Sequence, residues 1–174
     1  MSGMAKFLLV LMLCLCAFAA RAETRDVQQY FFDQHLGDFK AELDTAKKGG
    51  KQGILLMFEM EECPFCHRMK ETILNQSEVQ DYYRKHFLVF SVDTEGSNAL
   101  VDFSGKETTE KKFALEHRVR ATPAFIFFDL SGQPLTRFTG AAKDVKEFMA
   151  LGRYVVDGAY KTMPFAKYKQ QVVQ

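Results

Sequence analysis

"LLMFEMEECPFCHRMK", residues 55–70, sets two cysteines three positions apart directly behind an apolar run. Ile54 to Phe58 is continuous rather than alternating, which marks a short strand buried on both faces, as in a parallel sheet. After a short linker, Pro64 suits the first position of a helix, where its missing N–H costs nothing. The helical pattern then runs to about Asn75. Cys63 thus stands at a helix start, where unpaired backbone N–H groups and the positive end of the helix dipole face its sulfur. Both favour the thiolate, which is the attacking species. Cys66 lies one helical turn on and can reach back to resolve a mixed disulfide. Arg68 and Lys70 bring positive charge to this neighbourhood, and Glu59, Glu61 and Glu62 oppose it.

Three chemistries share this spacing. C-x-x-C is the dithiol of a redox enzyme, C-x-x-C-H attaches a c-type haem, and half of a zinc site looks similar. Haem would use Cys63 and Cys66 as thioether attachments and His67 as axial ligand. A c-type cytochrome domain is typically small and helical, whereas here the motif follows a buried strand and three more strands come after it. Zinc lacks ligands: none of His35, His67, His86 and His117 has a His or Cys partner at ligand spacing, so no metal is expected.

The chain of 174 residues suffices for one domain with a sizeable core, and its 17 Phe make that core aromatic. A net charge of +1 gives no basic excess for a nucleic-acid surface. Lys6, the apolar run Phe7 to Ala20 and the A-x-A pattern Ala20-Arg21-Ala22 read as a cleavable secretory signal peptide over residues 1–22, too short for a comfortable membrane span. Cleavage there removes two cations, Lys6 and Arg21, and no acid, turning +1 into −1. It also removes Cys14 and Cys16, leaving Cys63 and Cys66. So small a loop would restrict the unfolded chain little, so the pair reads as chemistry rather than a staple.

Beyond an N-terminal extension over residues 23–36, Val27, Tyr30, Phe31, Phe39, Leu43 and Ala46 recur at helical spacing. Asp38 suits an N-cap, and Lys47-Lys48 before Gly49-Gly50 is a helix ending. Ser77 with Gln80 reads as a capping box for a helix to about Lys85. Phe87 to Val92 is a second strand, and Leu100, Val101 and Phe103 suggest a short one inside the polar stretch 94–108. Thr109 to His117 looks helical. Ala124 to Phe128 and Leu135 to Thr139, joined by Ser131-Gly132-Gln133-Pro134, form a hairpin. A last apolar stripe runs from Val145 to Val156, and residues 158–174 are a mixed tail. A β-α-β unit followed by a β-β-α unit fits an α/β fold with a central mixed sheet of about four to five strands flanked by helices.

"RVRATPAFIFFD", residues 118–129, places Thr122-Pro123 immediately before a buried strand, a position proline favours because it lacks a ladder donor. With the dithiol at a helix start, this resembles the thioredoxin superfamily over about residues 37–157. The resemblance implies the thioredoxin fold, a cis bond at Pro123 packed against the dithiol, and Thr122 offering backbone groups to an extended substrate. "LLMFEMEECPFCHRMK", "VRATPAFIFFD" and "YVVDGAYKT" are closer still to the exported bacterial thioredoxins of the SoxW type, associated with sulfur oxidation. There are departures. Cytosolic thioredoxin has W-C-G-P-C, and Glu62 stands before Cys63 here. Its buried Asp six residues before the first Cys is matched by Met57. Glu59, at the end of the apolar strand, is the candidate replacement: partly buried there, it could accept the proton of Cys66.

His67 is expected to be solvated, and when protonated it could tune the Cys63 thiolate. His35, His86 and His117 read as surface or packing residues. Pro64 and Phe65, between the cysteines, are expected on the substrate side, with Phe65 exposed. The expected function is a periplasmic thiol–disulfide oxidoreductase working through a mixed disulfide: Cys63 as nucleophile, Cys66 as resolving thiol, and no dissociable cofactor. The substrates would be protein disulfides, and the resemblance implies a membrane electron donor of the DsbD/CcdA kind. Two cysteines and no dimerisation segment point to a monomer. The SoxW-type resemblance favours a reductase of protein disulfides, although potentials on this fold run from about −270 to about −120 mV. Pro-Phe is like the Pro-Tyr of glutaredoxins and begins like the Pro-His of DsbA. A Dsb-type oxidase or isomerase, or a non-redox peptide-binding module gripping Thr122-Pro123, are the alternatives.

Overall fold

The computed structural model describes residues 23–34 and 36–173. The expected signal peptide, with Cys14 and Cys16, and also His35 lie outside the described residues. Two helices, α1 (Val27–Tyr30) and α2 (Phe39–Lys48), precede strand β1 (Gly53–Glu59). The single apolar periodicity of the sequence is therefore split in two. Gly37, at φ +83°, turns the chain between the helices. Asp38 caps α2 by accepting from the Ala41 N–H, and Gly49 follows Lys47 and Lys48 at its end.

Helix α3 (Pro64–Met69) continues as one π-helical turn, Lys70–Leu74. Helix α4 (Ser77–His86) leads into β2 (Phe87–Asp93). The capping box expected at its start is not formed. Gln76 is the N-cap and offers no side-chain bond, while the Gln80 amide donates to the carbonyls of Arg25 and Leu74. Gln80 is buried, so its amide serves nearby backbone acceptors instead of reaching back to the helix start.

Within residues 94–108 two short strands pair, β3 (Ala99–Val101) and β4 (Glu107–Thr109). Phe103 lies in the loop between them, not in a strand, and its ring packs on Phe39 and Phe128. Helix α5 (Glu110–Glu116), strands β5 (Ala124–Phe128) and β6 (Pro134–Thr139), and helix α6 (Val145–Val156) follow as expected. From Gly158 the chain forms a 3₁₀ turn, Ala159–Lys161, and helix α7 (Phe165–Val172). Phe165 and Tyr168 of α7 rest on Tyr154.

Among the described residues the central sheet has the order β2-β1-β5-β6, with β1 parallel to β2 and antiparallel to β5. Both faces are covered, which is why β1 up to Phe58 and the whole of β5 are apolar. Leu55, Met57, Phe125 and Phe127 meet α3, α4 and α6 on one face. Ile54, Leu56, Phe58 and Phe128 meet α2 and α5 on the other. Gly152 lets α6 lie close to α4, since a Cβ there would stand 2.8 Å from the Tyr82 ring. Both cysteines belong to the first cluster. Among the described residues, no helix is long and apolar enough to cross a membrane.

Candidate active site

The end of β1 and the start of α3 place the two cysteines. Cys63 is the N-cap of α3, and its Sγ accepts the Cys66 backbone N–H at 3.1 Å. Pro64 occupies the first turn, as its fixed φ favours. The sulfurs of Cys63 and Cys66 form a disulfide. Both residues are buried to the same extent, Cys63 at 2 % exposure and Cys66 at 1 %. Phe65 between them is 61 % exposed.

The loop before β5 closes over the pair. The Thr122–Pro123 peptide is cis. The Thr122 hydroxyl donates to Cys63 Sγ at 3.3 Å, a contact between residues far apart in sequence that no local pattern announces. The Pro123 carbonyl accepts the Gly140 N–H, and the neighbouring segment is tied to α3 twice. Arg68 donates to the Ala142 carbonyl at 2.9 Å, and the Ala142 N–H donates to Met69 Sδ at 3.3 Å. Met57 lies fully buried in the same cluster as the cysteines, so an apolar side chain stands there.

Glu59 is turned inward, its side chain 14 % exposed. Its carboxylate pairs with Lys70 at 2.6 Å and accepts from the Ser91 hydroxyl; neither cysteine is among its hydrogen-bond partners. Lys70 opens the π-helical turn, so that irregular turn sets the direction of its side chain. The charges flanking the motif therefore do not act alike. Lys70 is neutralised by Glu59 and Arg68 is engaged with a carbonyl, whereas Glu61 and Glu62 stand exposed. The His67 ring is exposed, and its Nε2 donates to the Glu61 carbonyl at 3.0 Å.

The other two described histidines, His86 and His117, pack against aromatic rings. His117 lies against Phe113 and Phe128, on the sheet face away from the cysteines, and burial and then the Arg137 charge lower its pKa. His86 lies against Tyr82, and burial, Lys85 and Lys51 lower its pKa. Among the described residues, no group of three or more His, Cys, Asp or Glu side chains could hold a metal ion.

Residues 39–156 match the family model of a thioredoxin-like domain. The chain belongs to the thioredoxin-like family. This thioredoxin-like domain shares its fold with a thioredoxin-fold protein from Helicobacter pylori: TM-score 0.62 at 20 % identity, over 86 % of this chain and 91 % of that one. A thioredoxin from Thermus thermophilus superposes at TM-score 0.54 with 25 % identity, over 68 % of this chain and 84 % of that one. A DsbH oxidoreductase does so at 0.52 with 19 % identity, over 87 % and 99 %. No curated protein matches significantly. The Cys63–Cys66 pair on a thioredoxin-like domain is the equipment of a thiol–disulfide oxidoreductase.

Proposed function

We propose that this thioredoxin-like protein is an exported reductase of protein disulfides, akin to the SoxW type. The observation that carries the reading is the Cys63–Cys66 disulfide at the start of α3, touched by the Thr122 hydroxyl beside cis-Pro123. In the reduced protein the Cys63 thiolate attacks one sulfur of a client disulfide. A Cys63–client bond forms, and the other client sulfur leaves and takes up a proton. Cys66 gives up its proton and attacks Cys63 Sγ, the client departs as a thiol, and the protein is left oxidised. Two electrons have passed to the client. A dithiol donor restores the reduced state, and in an exported protein a membrane transporter of the DsbD/CcdA kind would supply it.

The Cys66 N–H aimed at Cys63 Sγ and the Thr122 hydroxyl both stabilise negative charge on that sulfur. Exposed Phe65, with Pro64, offers an apolar contact to the client, and the backbone of Thr122 and Pro123 holds its extended segment. Glu59 takes the Cys66 proton, a role supported by its inward, mostly buried place at the end of β1. No dissociable cofactor takes part, and the protein acts as a monomer in the periplasm. Its signal peptide over residues 1–22 takes it there.

Reduction of insulin disulfides by the full chain with dithiothreitol as donor tests this. Cys63→Ser should abolish turnover, and Cys66→Ser should trap a mixed disulfide with insulin. Retained turnover in Cys63→Ser would remove the redox role from this pair.

A further inference from the structure

Two open clefts adjoin the site, one at Cys63 and one at Thr122. One, of about 380 Å³, is lined by Glu61, Glu62, Cys63, Pro64 and His67. The other, of about 270 Å³, lies beside Thr122, whose hydroxyl touches that sulfur, and is walled by Met60, Lys111 and Arg120. A third cleft links the two, sharing Met60 with one and Glu61 and His67 with the other. Together they form a groove around the linker between β1 and α3.

The groove carries opposite charges at its two ends. The side chains of Glu61 and Glu62 make no hydrogen bond or ion pair with any described group, and those of Lys111 and Arg120 make none either. Glu95 shares the cleft with Lys111 and Arg120 and offsets one of the two, leaving that end positive. In the linking cleft Lys70 and Glu59 neutralise each other at 2.6 Å, while among the described residues the Asp93 and Glu110 carboxylates accept only from the backbone N–H groups of Glu95 and Asp93 and from the Asn98 amide, so this middle stretch is acidic. A segment docked with its cysteine at Cys63 therefore meets the two free carboxylates of Glu61 and Glu62 on one flank, and Lys111 and Arg120 where it runs past Thr122 on the other.

We propose that Glu61, Glu62 and Arg120 select clients by charge. The preferred client segment carries cationic side chains on one flank of its disulfide cysteine and acidic side chains on the other. This rests on the dithiol reading above. Each exposed contact is weak by itself. Acting together on encounter they change the rate of productive docking, and salt screens them.

Three single-cysteine peptides, each a symmetric disulfide, test it against the reduced full chain at low salt and pH 8. One has two lysines before the cysteine and two glutamates after, the second has the reverse order, and the third has uncharged residues on both flanks. The readout is kcat/KM for peptide thiol release, taken as the ratio between the two charged peptides, which divides out any change in Cys63 reactivity. The expected ratio is roughly tenfold, collapsing in 0.5 M salt and inverting in the Glu61→Lys, Glu62→Lys, Arg120→Glu variant. A ratio near one, with the neutral peptide reduced equally well, overturns charge selection and leaves the dithiol reading standing. A ratio that the triple variant does not move overturns it too. Release from none of the three peptides overturns the dithiol reading and this proposal with it.

Discussion

At the scale of single residues, Thr122 is the side chain whose removal says most. Its hydroxyl is a neutral donor to Cys63 Sγ, worth about 0.5–1.5 kcal/mol. Thr122→Val should slow alkylation of Cys63 by iodoacetamide at pH 7 about two- to tenfold, and an unchanged rate would remove the hydroxyl from the mechanism. His117 gives a pH signature. Its pKa in the folded protein is lowered, chiefly by burial, so the folded state binds fewer protons than the unfolded chain in the window below 6.5. Stability should therefore fall as pH drops through that window, with Tm falling less in His117→Leu than in the parent between pH 7 and pH 5. An equal fall in both would assign the effect to His86 or to the carboxylates. The cysteines and Pro123 were legible because each stands beside a strand with a strong local pattern. The Thr122–Cys63 contact was not, because it joins two such patterns across the fold and depends on how a loop closes.

Among elements, the π-helical turn Lys70–Leu74 shows where local pattern runs out. The helix from Pro64 to about Asn75 could be read from its residues, but no proline or glycine marks the change of winding that aims Lys70 at Glu59. Both partners are mostly buried, so their coupling should fall between the exposed and buried cases, about 1–3 kcal/mol. A Glu59→Gln, Lys70→Met double-mutant cycle in urea reads it directly, and a coupling near zero would make the pair incidental. Glu59→Gln should also lengthen the life of the Cys63–client mixed disulfide if its carboxylate takes the Cys66 proton. The capping box at Ser77 misled for a related reason. Its residue types were right, but Gln80 was taken by the tertiary structure, bonding Arg25 and Leu74 instead. The central strands were legible throughout, since burial on both faces leaves an unbroken apolar run that no loop imitates.

Across the whole molecule, the residues before the family match are part of the fold. Phe31 and Phe32 are buried in the cluster that holds both cysteines, Arg25 pairs with Asp81, and Asp33 accepts the Val89 N–H along the outer strand. Phe31→Ala should cost about 3–5 kcal/mol in urea unfolding, as for other buried aromatics, and a loss under about 1 kcal/mol would mean that this segment lies on the domain without supporting it. Nothing in their spacing separated these phenylalanines from an ordinary amphipathic helix, because their partners lie in strands and helices that follow much later. Direction of electron flow is likewise a property of the whole domain, since it depends on how the fold stabilises the dithiol against the disulfide. The reduction potential of the Cys63–Cys66 couple, equilibrated against glutathione or dithiothreitol, measures it. A reductase should give a value near or below about −230 mV, whereas a value near about −120 mV would make the protein a disulfide donor and contradict the proposed direction.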